Sequence, residues 1–81
     1  MKHQFTLKFV RSYHTFSKSI QLKFDKQLNY LLQNFRHPSL QVKKYDESQG
    51  IWQARVNKKI RFYFLIEGDI YTLLDIKKHP K

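Results

Sequence analysis

Two arginines carry the first chemical signal in this chain. The segments Trp52-Gln53-Ala54-Arg55-Val56 and Ile60-Arg61-Phe62-Tyr63-Phe64 both alternate apolar and polar residues, the signature of half-buried strands. Putting Trp52, Ala54 and Val56 on the same side as Ile60, Phe62 and Phe64 requires Val56 to sit opposite Ile60. The same register sets Arg55 opposite Arg61 on the other side. Like charges directly opposed are unfavourable, so the pair implies an anion held over them. The strand that follows returns antiparallel, which brings Lys77, Lys78 and His79 to the same end. Arg55, Arg61, Lys77, Lys78 and His79 form a basic cluster suited to a polyanion.

Composition points the same way. The 81 residues include 16 Lys and Arg against six Asp and Glu, a net charge of +10. A domain so charged attracts polyanions at long range. That leaves nucleic acid, ribosome, an acidic protein or an anionic membrane surface as partners. No Cys is present, which excludes disulfides and thiolate metal sites and fits a reducing compartment. The four His lack metal-ligand spacing, two Gly cannot build a phosphate loop, and no acidic pair is placed for two-carboxylate chemistry. Neither a secretory leader nor a membrane-spanning run is visible, so a cytoplasmic protein without membrane contact is expected.

The elements that must position the cluster follow from periodicity. Gln4 to Phe9 alternates, with Phe5, Leu7 and Phe9 on one face, and predicts a half-buried strand. From Val10 the spacing becomes helical: Phe16, Ile20, Phe24, Leu28, Leu31, Leu32 and Phe35 recur at three or four residues. A break is expected near Ser17 to Ser19, with Ser capping a second helix from about Ile20 to Asn34. Pro38 ends it, because His37 before it disfavours helical geometry. Leu40, Val42 and Tyr45 suggest a further strand, and Asp46 to Gly50 a loop. Ile51 to Asn57, Ile60 to Ile66 and Ile70 to Ile76 then form a β-meander. The turn at Gly68-Asp69 fits two residues or three. The expectation is one α+β domain over residues 1–81, its helices covering one side of the sheet. Trp52 lies on the apolar side, which leaves Tyr45, Tyr63 and Tyr71 for base stacking.

The ordered runs HPSLQVKKY, GIWQARVNKKIRFYF and IEGDIYTLLDIKKH, preceded by KSIQLKFDKQLNYLLQNF, resemble the RelE/ParE superfamily of bacterial type II toxins. They are most similar to its RelE-like branch, also known as plasmid-stabilisation or translational-repressor toxins. The resemblance implies an N-terminal strand, a two-helix hairpin and a twisted antiparallel sheet with a concave basic face. It implies metal-independent, ribosome-associated cleavage of messenger RNA, an mRNA interferase that inhibits translation without a cofactor. It also implies a cognate antitoxin as partner. Such cleavage uses the RNA 2′-hydroxyl as nucleophile and needs a base, an acid and fixed cations around the phosphorane.

On that resemblance, Arg61 matches the strand arginine of the family and Arg55 the basic position in its W-x-x-R stretch. Lys43 and Lys44 match the basic pair after HPSL and would contact the RNA backbone, with Lys58, Lys77, Lys78 and Tyr63 beside them. His79 matches the C-terminal histidine and has the pKa range for proton transfer near neutrality. Many members follow that His with Asp or Tyr, where this chain has Pro80, so Tyr63 and Glu47 stand as candidates for the remaining acid–base group. Two other readings share the fold: a ParE-like gyrase inhibitor that works by binding, and a catalytically silent module that binds RNA or antitoxin.

Overall fold

The computed structural model describes residues 2–79. The elements run β1 (Lys2–Phe5), α1 (Leu7–His14), α2 (Lys18–Gln33), a 3-10 turn (Pro38–Leu40), β2 (Lys43–Asp46), β3 (Ile51–Arg55), β4 (Ile60–Glu67) and β5 (Ile70–Lys78). The five strands form one sheet in the order β1-β5-β4-β3-β2. Four of them are antiparallel neighbours, whereas β1 lies parallel to β5 at the edge.

The N-terminal strand is shorter than the alternation of Gln4 to Phe9 suggests, and its residues are exposed rather than half-buried. Thr6 ends it. Its backbone is extended and its side chain accepts from the Phe9 amide at 3.1 Å, an N-cap that starts α1 at Leu7. Phe9 thereby becomes a helical core residue. Leu7, expected on the buried strand face, stands 67% exposed on the helix. The predicted break is present. Ser17 caps α2 by accepting from the Ile20 amide, while the Gln21 side chain donates through Nε2 to the Tyr13 and Phe16 carbonyls at the end of α1. Leu40 belongs to the 3-10 turn rather than to a strand, and Gln41 leaves that turn at φ +46°.

The apolar stripe of α2 packs on one side of the sheet. Phe24 meets Phe62 edge-on at 5.1 Å, and Leu31, Leu40, Ala54, Phe64 and Leu73 are wholly buried around them. One polar side chain lies within the stripe. Gln27 is buried and donates to the carbonyls of Ser39 and Arg55 at 3.2 and 2.7 Å, so it ties α2 to the end of β3. The Arg55 carbonyl, at the end of β3, needs such a partner.

The β4–β5 turn has two residues, with Glu67 paired to Ile70. Gly68 takes φ +63°, a conformation that side chains resist. Continued unbroken, that register would set Arg61 opposite Ile76. A bulge on β5 intervenes: Phe64 pairs with Leu73 but Tyr63 with Asp75, so Leu74 is the extra residue. Beyond it Phe62 faces Ile76 on the core side and Arg61 faces Lys77 on the other. The bulge also receives the chain from β1, since Thr6 donates its amide to Leu73 and its hydroxyl to Leu74, both at 3.0 Å.

Candidate functional site

The face of the sheet turned away from α2 carries the basic cluster. Arg55, Arg61 and Lys77 pair across β3, β4 and β5 in one row of three cations. The adjoining row is Lys43, Gln53, Tyr63 and Asp75. The Lys77 ammonium lies over the Tyr63 ring at 5.1 Å, and Tyr45 meets that ring at 4.7 Å. Among the described residues the one carboxylate of these rows is already engaged. Asp75 pairs with Lys8 at 3.5 Å and accepts from Ser12 at 2.7 Å.

The repulsion between Arg55 and Arg61 is relieved from within the chain as well as by any outside anion. Arg61 turns Nη1 into the β3–β4 loop and donates to the carbonyls of Asn57 (2.6 Å), Lys58 (3.2 Å) and Ile60 (3.2 Å). The loop is shaped for this by Asn57, whose Oδ1 accepts from the amides of Lys59 and Ile60 at 2.8 and 2.9 Å. Arg61 Nε and Nη2 make no hydrogen bond among the described residues and remain available to a phosphate. His79, exposed, donates its amide to the Lys59 carbonyl at 2.7 Å. The loop thus fixes both the Arg61 guanidinium and the His79 backbone.

Several residues expected at this site lie elsewhere. Lys44 stacks on Trp52 at 5.2 Å, on the side of α2, because adjacent strand residues point to opposite faces. Lys78 pairs with Ile60, a core-face residue, so it too leaves the Arg61 face. Tyr63 is only 4% exposed and its hydroxyl accepts from Gln53 at 3.2 Å, which makes it the floor of the site and not a stacking surface. Tyr71 is equally buried, in the core. Tyr45, 54% exposed, is the ring open to a base. Glu47 lies in the β2–β3 loop, beyond the end of β3 opposite Arg55, and β3 itself spans about 13 Å. Lys58 is exposed in the loop itself. Pro80 lies outside the described residues. The sequence reading passed over Gln53 and Asp75; both sit at polar positions of alternating strands, a signal that was present.

Among the described residues no group of three His, Asp or Glu side chains stands close enough to hold a metal. Among the described residues no helix is long and apolar enough to cross a membrane.

No family model and no curated protein matches the sequence. Solved structures do match. A YoeB/ParE toxin from Agrobacterium tumefaciens superposes with a TM-score of 0.82 at 15% identity, over 99% of this chain and 100% of its own. The backbone is that of the RelE/ParE toxins. A YoeB dimer from Staphylococcus aureus reaches a TM-score of 0.82 at 16% identity, covering 99% of this chain and 98% of its own. RelE from an archaeal RelE–RelB complex of Pyrococcus horikoshii reaches 0.74 at 14% identity, over 95% and 92%. At such low identity the RelE/ParE likeness is one of fold. In that fold the bulged β5 and the β3–β4 loop here carry this chain's own set of cations.

Proposed function

We propose that this chain is the toxin of a toxin–antitoxin pair, and that it cuts messenger RNA on the ribosome without a metal. The observation that carries the reading is the Arg55–Arg61–Lys77 row, with His79 bonded to the loop that holds Arg61. Three cations in a row on one sheet face suit the charge of a phosphorane better than that of a diffuse surface. In this reading Arg61 binds a non-bridging phosphate oxygen through Nε and Nη2 while Nη1 stays on the loop. Arg55 and Lys77 flank it and neutralise the second oxygen. The attacking 2′-hydroxyl gives up its proton to solvent water, and His79 protonates the 5′-oxygen as its bond to phosphorus breaks. Lys43, Lys58 and Tyr45 hold the strand to either side.

The partner in this reading is an antitoxin, as in the YoeB–YefM and RelE–RelB complexes whose toxins share the fold. The test is induced expression in a bacterium of wild type, Arg61→Ala and His79→Ala, with primer extension on a translated message. New cuts in the reading frame with growth arrest, absent in both variants, are expected. Arrest without cuts would place the target elsewhere, gyrase being one such target, and would overturn the nuclease reading. An Arg61→Ala protein as toxic as wild type would remove Arg61 from the site.

A further inference from the structure

The β3–β4 loop has a second side. Between it and α2 lies an open cleft of about 750 Å³. Lys23 and Lys26, one helical turn apart, form one rim, and Lys58 and Lys59 of the loop form the other. Tyr30 and His37 also line it, stacked face to face with centroids 3.9 Å apart and planes 5° from parallel. The Lys26 ammonium lies 5.9 Å from the Tyr30 ring. His37 Nδ1 accepts from the Ser39 amide at 3.2 Å, which leaves the proton on Nε2 as a free donor. No Asp or Glu lines the cleft, and none of the four lysines has an ion-pair partner among the described residues.

We propose that this cleft binds a single-stranded RNA segment adjoining the one that meets Arg61. Cations on two facing rims suit a chain of phosphates running between them rather than one isolated anion. A flat aromatic pair among those cations suits unpaired bases, which an acidic protein segment lacks. The loop supplies continuity. Its side chains Lys58 and Lys59 line the cleft, while its carbonyls hold Arg61 and the His79 amide. A strand crossing the loop would touch both sites. The inference takes from the functional reading only that the polymer is RNA.

The test uses a fluorescein-labelled 12-nucleotide RNA that is 2′-O-methylated throughout, so that no 2′-hydroxyl can attack and the assay is blind to cutting. Anisotropy titrations over a range of salt concentrations compare wild type with Lys23→Gln/Lys26→Gln. A second double variant, Lys2→Gln/Lys18→Gln, removes the same charge outside the cleft. The cleft variant should bind roughly tenfold more weakly, and its salt slope should fall by about 1.4, two contacts at ~0.7 each. The control should stay within about twofold with its slope unchanged. His37→Asn keeps an acceptor for Ser39 but removes the ring, and should cost about fivefold or more in affinity. Equal losses in the two double variants would reduce the effect to diffuse charge and overturn the proposal. So would displacement of the RNA by a polyglutamate peptide together with an unaffected His37→Asn, which would assign the cleft to an acidic protein segment.

Discussion

Arg61 holds the carbonyl of Asn57 at 2.6 Å, and through it the turn that joins β3 to β4. The residue expected to meet the phosphate is therefore also the clamp of its own loop. Arg61→Lys separates the two properties. Lysine keeps the charge but lacks the planar fork, so it cannot hold the loop and a phosphate at once. Cutting in the primer-extension assay should fall about tenfold or more, with the thermal melt showing an intact fold. Full activity in Arg61→Lys would show that the fork geometry is irrelevant.

Gln27 joins the helix to the sheet at the other end of the same region. Gln27→Leu retains bulk but leaves the part-buried carbonyls of Ser39 and Arg55 without this donor. Urea unfolding should report a loss of about 1–3 kcal/mol. Glutamate at this position would not rescue, because the carboxylate cannot donate.

Phe24 and Phe62 meet edge-on at the centre of the core, at 1% and 0% exposure. Phe24→Ala should cost about 3–5 kcal/mol, a large share of what so small a domain has. A denaturation midpoint within experimental error of wild type would mean that the helix does not cover the sheet as described.

Tyr45 and Tyr63 touch, yet they should respond differently to mutation. Tyr45 is exposed, so Tyr45→Ala should weaken RNA binding by about fivefold or more and leave the melting temperature near wild type. Tyr63 is buried beneath Lys77, so Tyr63→Ala should lower the melting temperature by several degrees, roughly 4–8 °C per kcal/mol lost. Anisotropy and calorimetry on the two variants read the difference directly.

Burial raises the pKa of Tyr71 above its ordinary value of 10.0. The sign follows from linkage. Above pH 10 the unfolded chain releases the phenolic proton while the folded one retains it, so stability is full below that pH and falls as pH rises through the folded value. Tyr71→Phe should flatten this decline in a pH series of urea melts. An identical alkaline slope in the variant would show that Tyr71 titrates freely in the folded state.

The cation row was legible in the sequence because strand alternation fixes register: Trp52, Ala54 and Val56 could share a side with Ile60, Phe62 and Phe64 in only one way, and Arg55 met Arg61 as a consequence. Capping was legible at Ser17, where the polar residue interrupts a helical stripe. It was missed at Thr6, because a threonine between Phe5 and Leu7 also satisfies a strand pattern; the local signals were equal, and pairing with β5 decided. The bulge at Leu74 had no signature at all. It arises where Thr6 bonds the Leu73 and Leu74 carbonyls, a contact between residues more than sixty positions apart. Lys44 was assigned from the resemblance and Lys78 from the path of the last strand, and strand parity placed both on the other face.

The parallel pairing of β1 with β5 also governs the order of assembly. Among the described residues β1 pairs with β5 alone, so it has no partner strand until β5 has been made. The same late strand supplies Lys77 to the cation row and the backbone of His79 to the loop. Contacts this distant along the chain carry a high loop-closure cost and form late in folding. A nascent chain therefore carries Arg55 and Arg61 without the strand that completes their site. Whatever the finished row does, the half-made protein cannot yet do while it is being translated.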